Sequence, residues 1–204
     1  MDKLRQSGIT LLELLVTLFI AGIVLGIGIP SMVEFQRNAR ITTVANDMIA
    51  AISVARAEAV KRRAPVTLCP TDDTAAAAPA CVAGAIAGWI VFADDNDGNG
   101  DGLPDGNGTI DAGEDIIRVQ PFPDGVNVLT DGNYVSIAAT GFTRDIPGLG
   151  AGVNNFLFCD VRGNRDLGGG NSAARTITVA PTALAQYSSS THTWAVTVRL
   201  PLIL

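Results

Sequence analysis

A long apolar segment near the N-terminus constrains this chain more than any other feature. Between Arg5 and Glu34 the sequence carries a single charge, that of Glu13. The apolar run over 9–29 is long enough to cross a bilayer as a helix, which needs about 20 residues. Because Lys3 and Arg5 precede the run, we expect the N-terminus to stay in the cytoplasm and the rest of the chain to lie outside the inner membrane.

The carboxylate of Glu13 requires a partner if the segment lies in a membrane. A charged side chain there costs about 2.5–3.5 kcal/mol by insertion scales. If the chain is cut after Gly8, the new ammonium group of Ile9 lies one helical turn from this carboxylate. A subunit with both groups can lend its carboxylate to the ammonium of a neighbouring subunit when their helices stack with an axial offset.

Two simpler interpretations of the apolar segment explain less. An ordinary secretory signal peptide has a shorter apolar stretch and ends in a small-residue site such as Ala-x-Ala, and nothing after Pro30 looks like that site. A plain single-span anchor fits the length but leaves Glu13 unexplained. The sequence therefore favours a helix that assembles with other helices.

The leader and the first residues of the apolar run resemble a known processing signal. The order Gly8-Ile-Thr-Leu-Leu-Glu13-Leu, after a short basic leader, is similar to the class III signal of type IV pilins and type II secretion pseudopilins. The resemblance implies that a prepilin peptidase removes residues 1–8 and methylates Ile9, where relatives usually have Phe or Met. Glu13 and Pro30 occupy the family's positions, and the resemblance implies a role for both in assembly.

Beyond the span, a periodic pattern indicates that the helix continues. Apolar residues recur at spacings of three and four, which marks one buried face of a helix over 30–63: Ile41, Val44, Ala45, Met48, Ile49, Ile52, Ala55 and Ala59. Pro30 should bend this helix without ending it, and Pro65 should mark its end.

From residue 64 onward, short alternating segments predict strands at 65–69, 89–93, 115–119, 134–138, 156–159, 176–180 and 193–200. Such alternation is typical of antiparallel sheets with one covered face, and the 41–59 helix face is the natural cover. The predicted fold is α+β: a long bent N-terminal helix packed on antiparallel sheets, with residues 64–204 forming a periplasmic β-rich domain. The glycines 168–170 follow no apparent strand and are interpreted as a flexible connection.

A second resemblance narrows the family. The segments 68–70, 88–94 and 111–118, together with Cys81 and 158–163, are similar to the minor pilin and pseudopilin branch that includes FimT, FimU and GspH. The resemblance implies a structural subunit that assembles into or primes a type IV pilus or a type II secretion pseudopilus. Its implied partners are the prepilin peptidase, other minor and major pilins or pseudopilins, and inner-membrane lipid. The alternative function is a pilus-tip DNA-uptake receptor or adhesin.

Three cysteines in an exported chain suggest one disulfide and one leftover thiol. Cys69 and Cys81 would close a small alanine-rich loop, worth about 3 kcal/mol through loop-closure entropy. Cys159 lies in an apolar run and is expected to be buried. The sequence alone leaves other pairings open.

The segment from Asp94 to Glu114 is the most chemically suggestive loop. Alternating oxygen-bearing residues imitate the start of a calcium-binding loop: Asp97, Asn99, Asp101 and Asp105. The twelve-residue pattern is incomplete, because Gly108 stands where the closing glutamate belongs. A structural calcium ion is the one cofactor that this loop suggests. The alternative is a long hairpin connection in which Asp, Asn and Gly supply the turn conformations.

Charge makes nucleic acid an unexpected partner. From Ala64 onward the chain has six basic and fifteen acidic residues. Some FimT-side relatives capture DNA through a basic Gly-Arg-x-Arg segment, but the corresponding stretch here, 181–186, has no arginine. The short cluster Lys61-Arg62-Arg63 is expected to interact with the helix dipole instead of phosphates.

Catalysis is not expected either. His192 is the one histidine, and it lies in a serine-rich stretch from Ser188 that suits a surface loop. The sequence has no Walker loop, no metalloprotease helix and no Gly-x-Ser-x-Gly turn.

Overall fold

A single long helix leads into a β-rich domain. The computed structural model describes residues 9–82, 86–96, 104–168, 171–181 and 185–188. The chain divides into two compact units, Met1–Ala39 and Arg40–Leu204. Helix α1 (Leu11–Arg62) begins in the first unit and ends in the second.

The two ends of α1 follow from local sequence. Thr10 caps the start, because its Oγ1 accepts a hydrogen bond from Glu13 N at 3.2 Å. At the end, Arg63 adopts a left-handed conformation with φ of 58°, and Ala64 N donates to Ala59 O at 3.3 Å. This is a Schellman cap, followed at once by Pro65, so the predicted end of the helix is confirmed.

Pro30 lies inside α1, so the prediction that it does not end the helix is confirmed. Its ring nitrogen has no hydrogen to donate to the carbonyl four residues earlier. The next residue, Ser31, donates from its Oγ to Gly28 O at 2.8 Å. A side chain therefore adds a hydrogen bond to the helix backbone beside Pro30.

The buried face of α1 in the second unit agrees closely with the predicted pattern. Ala51 is buried in addition, and Ile49 is only partly buried. The buried helix residues are Ile41, Val44, Ala45, Met48, Ala51, Ile52, Ala55 and Ala59. They form one core with strand residues from two sheets.

All strand pairing is antiparallel among the described strands. The first sheet has the order β3-β2-β1-β5-β6, the second β11-β10-β7-β4, and β8 pairs with β9. The strands are β1 (Val66–Thr71), β2 (Gly88–Ala93), β3 (Ile116–Pro121), β4 (Asn127–Thr130), β5 (Val135–Ile137), β6 (Thr143–Arg144), β7 (Asn155–Cys159), β8 (Asp166–Gly168), β9 (Asn171–Ser172), β10 (Arg175–Val179) and β11 (Ala185–Ser188).

The predicted α+β class is confirmed, and so are six of the predicted strands, which correspond to β1, β2, β3, β5, β7 and β10. Two interpretations were wrong. Gly168 ends strand β8, so the glycine run does follow a strand. Ser188 ends strand β11 and does not belong to a surface loop. The predicted strand at 193–200 lies outside the described residues.

Strands β1 and β2 are buried on both faces, which the prediction of one covered face missed. One face joins the core under α1 through residues such as Trp89, whose ring lies edge-on to Phe156 with centroids 5.1 Å apart. The other face carries Ile90 and Phe92, and these pack beneath the partly buried Ile110. The loops therefore cover the second face of the sheet.

Candidate assembly segment and acidic loop

The N-terminal part of α1 exposes its large apolar side chains. Ile9 is 74 % exposed, and apolar residues continue to be exposed through Phe35. The most apolar window of the helix has a mean hydropathy of 2.5, and none of it is buried. By length and composition this helix can cross a membrane.

The predicted processing and assembly residues lie on this segment, apart from Gly8, which is outside the described residues. Ile9 directly precedes the cap residue Thr10. Glu13 lies in the first turn of the helix, and Pro30 lies inside it. An ammonium group on Ile9 would therefore stand just before the helix that carries the Glu13 carboxylate.

The predicted disulfide is confirmed. Cys69 and Cys81 are bonded, with their Cα atoms 5.4 Å apart. Cys159 is a buried free thiol, as expected. Burial raises the pKa of this thiol, and the nearby charge of Asp160 raises it further. Cys159 is thus held as a neutral, apolar core residue.

The disulfide also fixes the loop that covers the sheet. Cys69 lies in β1 on the face that carries Ile90 and Phe92, and Cys81 packs against the same cluster. Val82 N donates to Pro70 O at 2.9 Å beside the bond. The chain after the disulfide is therefore attached to β1 by both a covalent and a hydrogen bond.

The acidic segment connects the paired strands β2 and β3, which confirms the hairpin interpretation of its topology. Asp97, Asn99 and Asp101 lie outside the described residues. Asp105 is described, and the structure brings it together with Asp94 and Glu114. One carboxylate oxygen of each residue lies within 4.8 Å of the others.

Asp94 is the buried member of this cluster. It has no exposed surface, and its carboxylate accepts hydrogen bonds from Thr67 Oγ1 at 2.7 Å and from Gly108 N at 3.0 Å. Burial raises the pKa of Asp94 above its ordinary value, although these hydrogen bonds and the charge of Arg144 oppose the shift. The environment thus disfavours an unpaired negative charge on Asp94.

The remaining acids are tied into the loop backbone. Glu114 accepts hydrogen bonds from Asn96 N at 3.3 Å and Asp111 N at 2.9 Å, and burial raises its pKa. Asn107 Nδ2 donates to Asp105 Oδ2 at 2.7 Å. Because Asp94, Asp105 and Glu114 supply oxygen ligands of the kind that calcium takes, the residues fit a hard cation. Calcium stays a prediction, with these residues as the described candidate ligands.

Two arginines from outside the loop hold it in place, and neither was predicted in that role. Arg144 Nη2, from β6, donates to Gly106 O at 2.6 Å. At the neck of the loop, Arg62 Nη1 lies 3.0 Å from Asp115 Oδ2 and 3.5 Å from Asp95 Oδ2. The hydrogen bonds to Asp115 and Glu58 raise the pKa of Arg62, and the charges of Asp115 and Asp95 raise it further. The signal in the sequence was the acids at the two ends of the loop: Asp95, shortly after β2, and Asp115, directly before β3.

The basic cluster at the end of α1 is thus engaged with carboxylates. Arg62 Nε also lies 3.1 Å from Glu58 Oε2, and Lys61 Nζ lies 2.9 Å from Glu58 Oε1. These two bonds lower the pKa of Glu58. The helix dipole was the predicted partner of Lys61 and Arg62, and the structure adds acidic side chains to it.

The arginines near the second sheet are likewise engaged. Arg162 Nη2 lies 2.7 Å from Asp160 Oδ2, and both side chains are almost fully buried. Arg175 Nη1 donates to the carbonyl oxygens of Ser172 and Ala174. In the stretch 181–186, residues 182–184 are outside the described part of the chain, as is His192. Arg162 and Arg175 therefore bind groups of their own domain.

Comparisons with known proteins agree with both resemblances. Residues 44–183 match the family described as type II transport protein GspH, and residues 3–29 match the prokaryotic N-terminal methylation motif. A search of curated proteins found no match.

Two crystal structures of one protein are similar in fold, the type IV minor pilin FimU of Pseudomonas aeruginosa strain PAO1. The first is 14 % identical, with a TM-score of 0.44 over 76 % of this chain and 92 % of that one. The second is 13 % identical, with a TM-score of 0.42 over 72 % and 91 %. Because the GspH family model covers more than half of the sequence, the chain belongs to the GspH family of minor pilins and pseudopilins and carries its N-terminal methylation motif.

Proposed function

We propose that this protein is a minor filament subunit that is made as an inner-membrane precursor and then assembles into a type IV pilus or a type II secretion pseudopilus. Prepilin peptidase cuts after Gly8 and methylates Ile9. The observation that carries the proposal is the coincidence of the methylation motif, residues 3–29, with an exposed apolar helix that contains one carboxylate.

The exposed apolar surface supports a move from lipid to a filament. A surface of this size is unstable in water and needs either acyl chains or other apolar helices as neighbours. In the membrane the chain is a single-pass protein, and in a filament the same side chains pack against counterparts on other subunits. Minor and major subunits of the same machine are therefore the partners.

Glu13 sets the register of assembly in this proposal. Its carboxylate accepts the charge of the Ile9 ammonium of an adjoining subunit, so two unpaired charges in an apolar environment become one ion pair. Thr10 contributes by satisfying the backbone N–H of Glu13, which would otherwise lack a partner at the start of a helix in lipid.

The proposed location of the C-terminal domain is the periplasm. The basic leader residues favour a cytoplasmic N-terminus. The Cys69–Cys81 disulfide suits an oxidising compartment such as the periplasm. The acidic charge of the domain and the internal pairing of Arg162 support a structural role over a nucleic-acid receptor.

Mass spectrometry of the mature protein tests the processing step. The expected polypeptide begins at Ile9 and carries one methyl group on its terminal nitrogen. A retained leader, or a first residue other than Ile9, would contradict the proposal.

Substitution of Glu13 tests the assembly step. Glu13→Gln should leave cleavage intact but lower incorporation into sheared filaments, because the Ile9 ammonium loses its counter-ion. A charge left unpaired in the membrane, at about 2.5–3.5 kcal/mol, corresponds to a loss of roughly 70- to 370-fold. The control is Glu34→Gln, which removes an acid of α1 beyond the apolar run. Equal incorporation of both variants, measured by quantitative immunoblot, would refute the role of Glu13.

A further inference from the structure

A cavity of about 260 Å³ lies beside the second face of the first sheet, the face that carries Cys69. It is lined by the Cys69–Cys81 disulfide, by Tyr134, by Gly108 of the acidic loop and by Leu149 of the turn after β6. We propose that this cavity, here called the disulfide pocket, binds an aromatic side chain of a partner polypeptide. The partner carries lysine or arginine next to that side chain.

Three attachments hold the walls of the disulfide pocket in place. The disulfide fixes Cys81 to β1. Gly108 N donates a hydrogen bond to the buried carboxylate of Asp94 at 3.0 Å, and Ile146 N donates to Tyr134 Oη at 2.6 Å. Close-packed interiors rarely contain a void larger than a water molecule. A cavity of this size that independent bonds keep open is typical of a preformed ligand site.

The volume of the disulfide pocket favours a single ring as the occupant. An apolar cavity of about 150 Å³ holds benzene, whereas pockets for larger free ligands measure about 300–1,000 Å³. The disulfide pocket, at about 260 Å³, lies between the two and has room for one ring with a substituent. Aromatic side chains that fill a pocket on the partner are frequent anchors of protein–protein interfaces. The size therefore favours one aromatic side chain over a larger free ligand.

The lining of the disulfide pocket suits an uncharged group with one polar atom. Among the described residues that line it, none carries a charge, so an ion would lose hydration there without gaining a partner. Asn133 and Thr109 are the exposed polar residues of the lining. The Asn133 amide can donate and accept, and Thr109 Oγ1 can still accept while it donates to Asn107 Oδ1. A phenol hydroxyl or an indole N–H would therefore find a hydrogen-bond partner.

The charge of the surrounding loops selects the neighbours of that aromatic side chain. Seven carboxylates and no lysine or arginine occur in the segments that supply the lining, which are 69–82, 104–114, 131–134 and 145–150. Arg144, just outside them, donates to a backbone carbonyl of the acidic loop. Exposed charges act on a ligand over a distance of about 8–10 Å at moderate ionic strength. Basic residues beside the aromatic anchor would therefore be attracted, and acidic ones would be repelled.

Fluorescence anisotropy of short labelled peptides tests the proposal on the full-length protein in a neutral detergent, with empty micelles as the blank. The probe has the sequence Gly-Lys-Tyr-Lys-Gly, and two comparison peptides replace its tyrosine by alanine or both of its lysines by glutamate. The tyrosine peptide should bind about 10- to 150-fold more tightly than the alanine peptide, as expected for burial of one large aromatic side chain. The glutamate peptide should bind more weakly than the probe, and high salt should reduce this difference.

Variants that fill the disulfide pocket locate the binding. Leu149→Trp should abolish the preference for tyrosine, and Thr109→Tyr fills the pocket from a second loop if the first variant fails to fold. The matched control is Val161→Trp, at a position that is 84 % exposed and does not line the pocket.

Three results would overturn the proposal. They are equal affinity for the tyrosine and alanine peptides, unchanged binding by both filled variants, and binding of free p-cresol as tight as that of the probe, which would indicate a small-molecule site. Peptide binding can be measured whether or not the protein assembles into a filament, so the outcome is separate from that of the Glu13 experiment.

Discussion

The Cys69–Cys81 disulfide should contribute about 3 kcal/mol to the free energy of unfolding. The bond joins residues that are 12 apart in sequence, and loop-closure entropy for a loop of about this size gives that value. Cys81→Ser is the variant that isolates the cross-link, because Cys81 is only partly buried. In a domain of this size the loss corresponds to a fall in melting temperature of roughly 6–12 °C.

Cys69→Ser should be more damaging than Cys81→Ser. Cys69 is 2 % exposed and packs beside Ile90 and Phe92, so a serine hydroxyl at this position would be buried in an apolar cluster. That burial costs about 1–3 kcal/mol more when the hydroxyl finds no hydrogen bond. The ordering of the two variants therefore separates the covalent effect from the packing effect.

Both effects can be measured by urea denaturation of a chain that lacks residues 1–36, with near-ultraviolet circular dichroism as the signal. Wild-type protein treated with a reductant should match Cys81→Ser, and Cys159→Ala should keep its sensitivity to the reductant. If oxidised wild type and Cys81→Ser unfold at the same urea concentration, the disulfide does not stabilise the domain and the reasoning from loop closure is wrong.

Three further predictions concern the acidic loop. Burial raises the pKa of Asp94, so the stability that this group contributes is fully present below its unfolded-state pKa and is lost as pH rises through its folded-state pKa. With a chelator present, wild type should therefore lose stability relative to Asp94→Asn as pH rises from about 4 to 7. A constant difference in stability between the two proteins over this range would contradict the argument. Arg62→Gln should lower the free energy of unfolding by about 1 kcal/mol at low salt, because Arg62 contacts two loop acids, and by less in 1 M salt, which screens these contacts. Lys61→Gln is the control and should have a smaller effect, because Lys61 is mostly exposed. Calcium at about 100 times its dissociation constant should stabilise the isolated domain by about 2.7 kcal/mol, and Glu114→Gln should weaken that response; melting that is insensitive to chelator leaves only the hairpin interpretation.

The helix and the long strands could be predicted because each carries its own pattern. The buried face of α1 repeats every three to four residues, and Pro65 interrupts the pattern where the helix ends. The strands β4, β6, β8, β9 and β11 have at most four residues each, and most of their residues are polar. Their pairing depends on neighbouring strands, so local periodicity gave no sign of them.

The acidic cluster was predicted incompletely for a similar reason. The spacing of Asp97, Asn99, Asp101 and Asp105 treats the loop as a self-contained unit. The structure adds Asp94 and Glu114, which stand at the two ends of the loop and meet because β2 and β3 are paired. Only the hairpin register brings such distant residues together, and that register is a property of the sheet.

The burial of β1 and β2 on both faces has a practical consequence for tagging this protein. Cys69, Cys81 and Ile110 pack in one cluster with Ile90 and Phe92, so a fluorophore or epitope placed at one of these positions would disturb the packing on the second face of the sheet. The turn at Pro147 and Gly148 is a better place, since both residues are exposed and Gly148 has open space around it. Gly148 itself should be kept, because its φ is positive and a side chain there would be strained. A label at that turn would allow the proposed incorporation into a filament to be followed without weakening the fold.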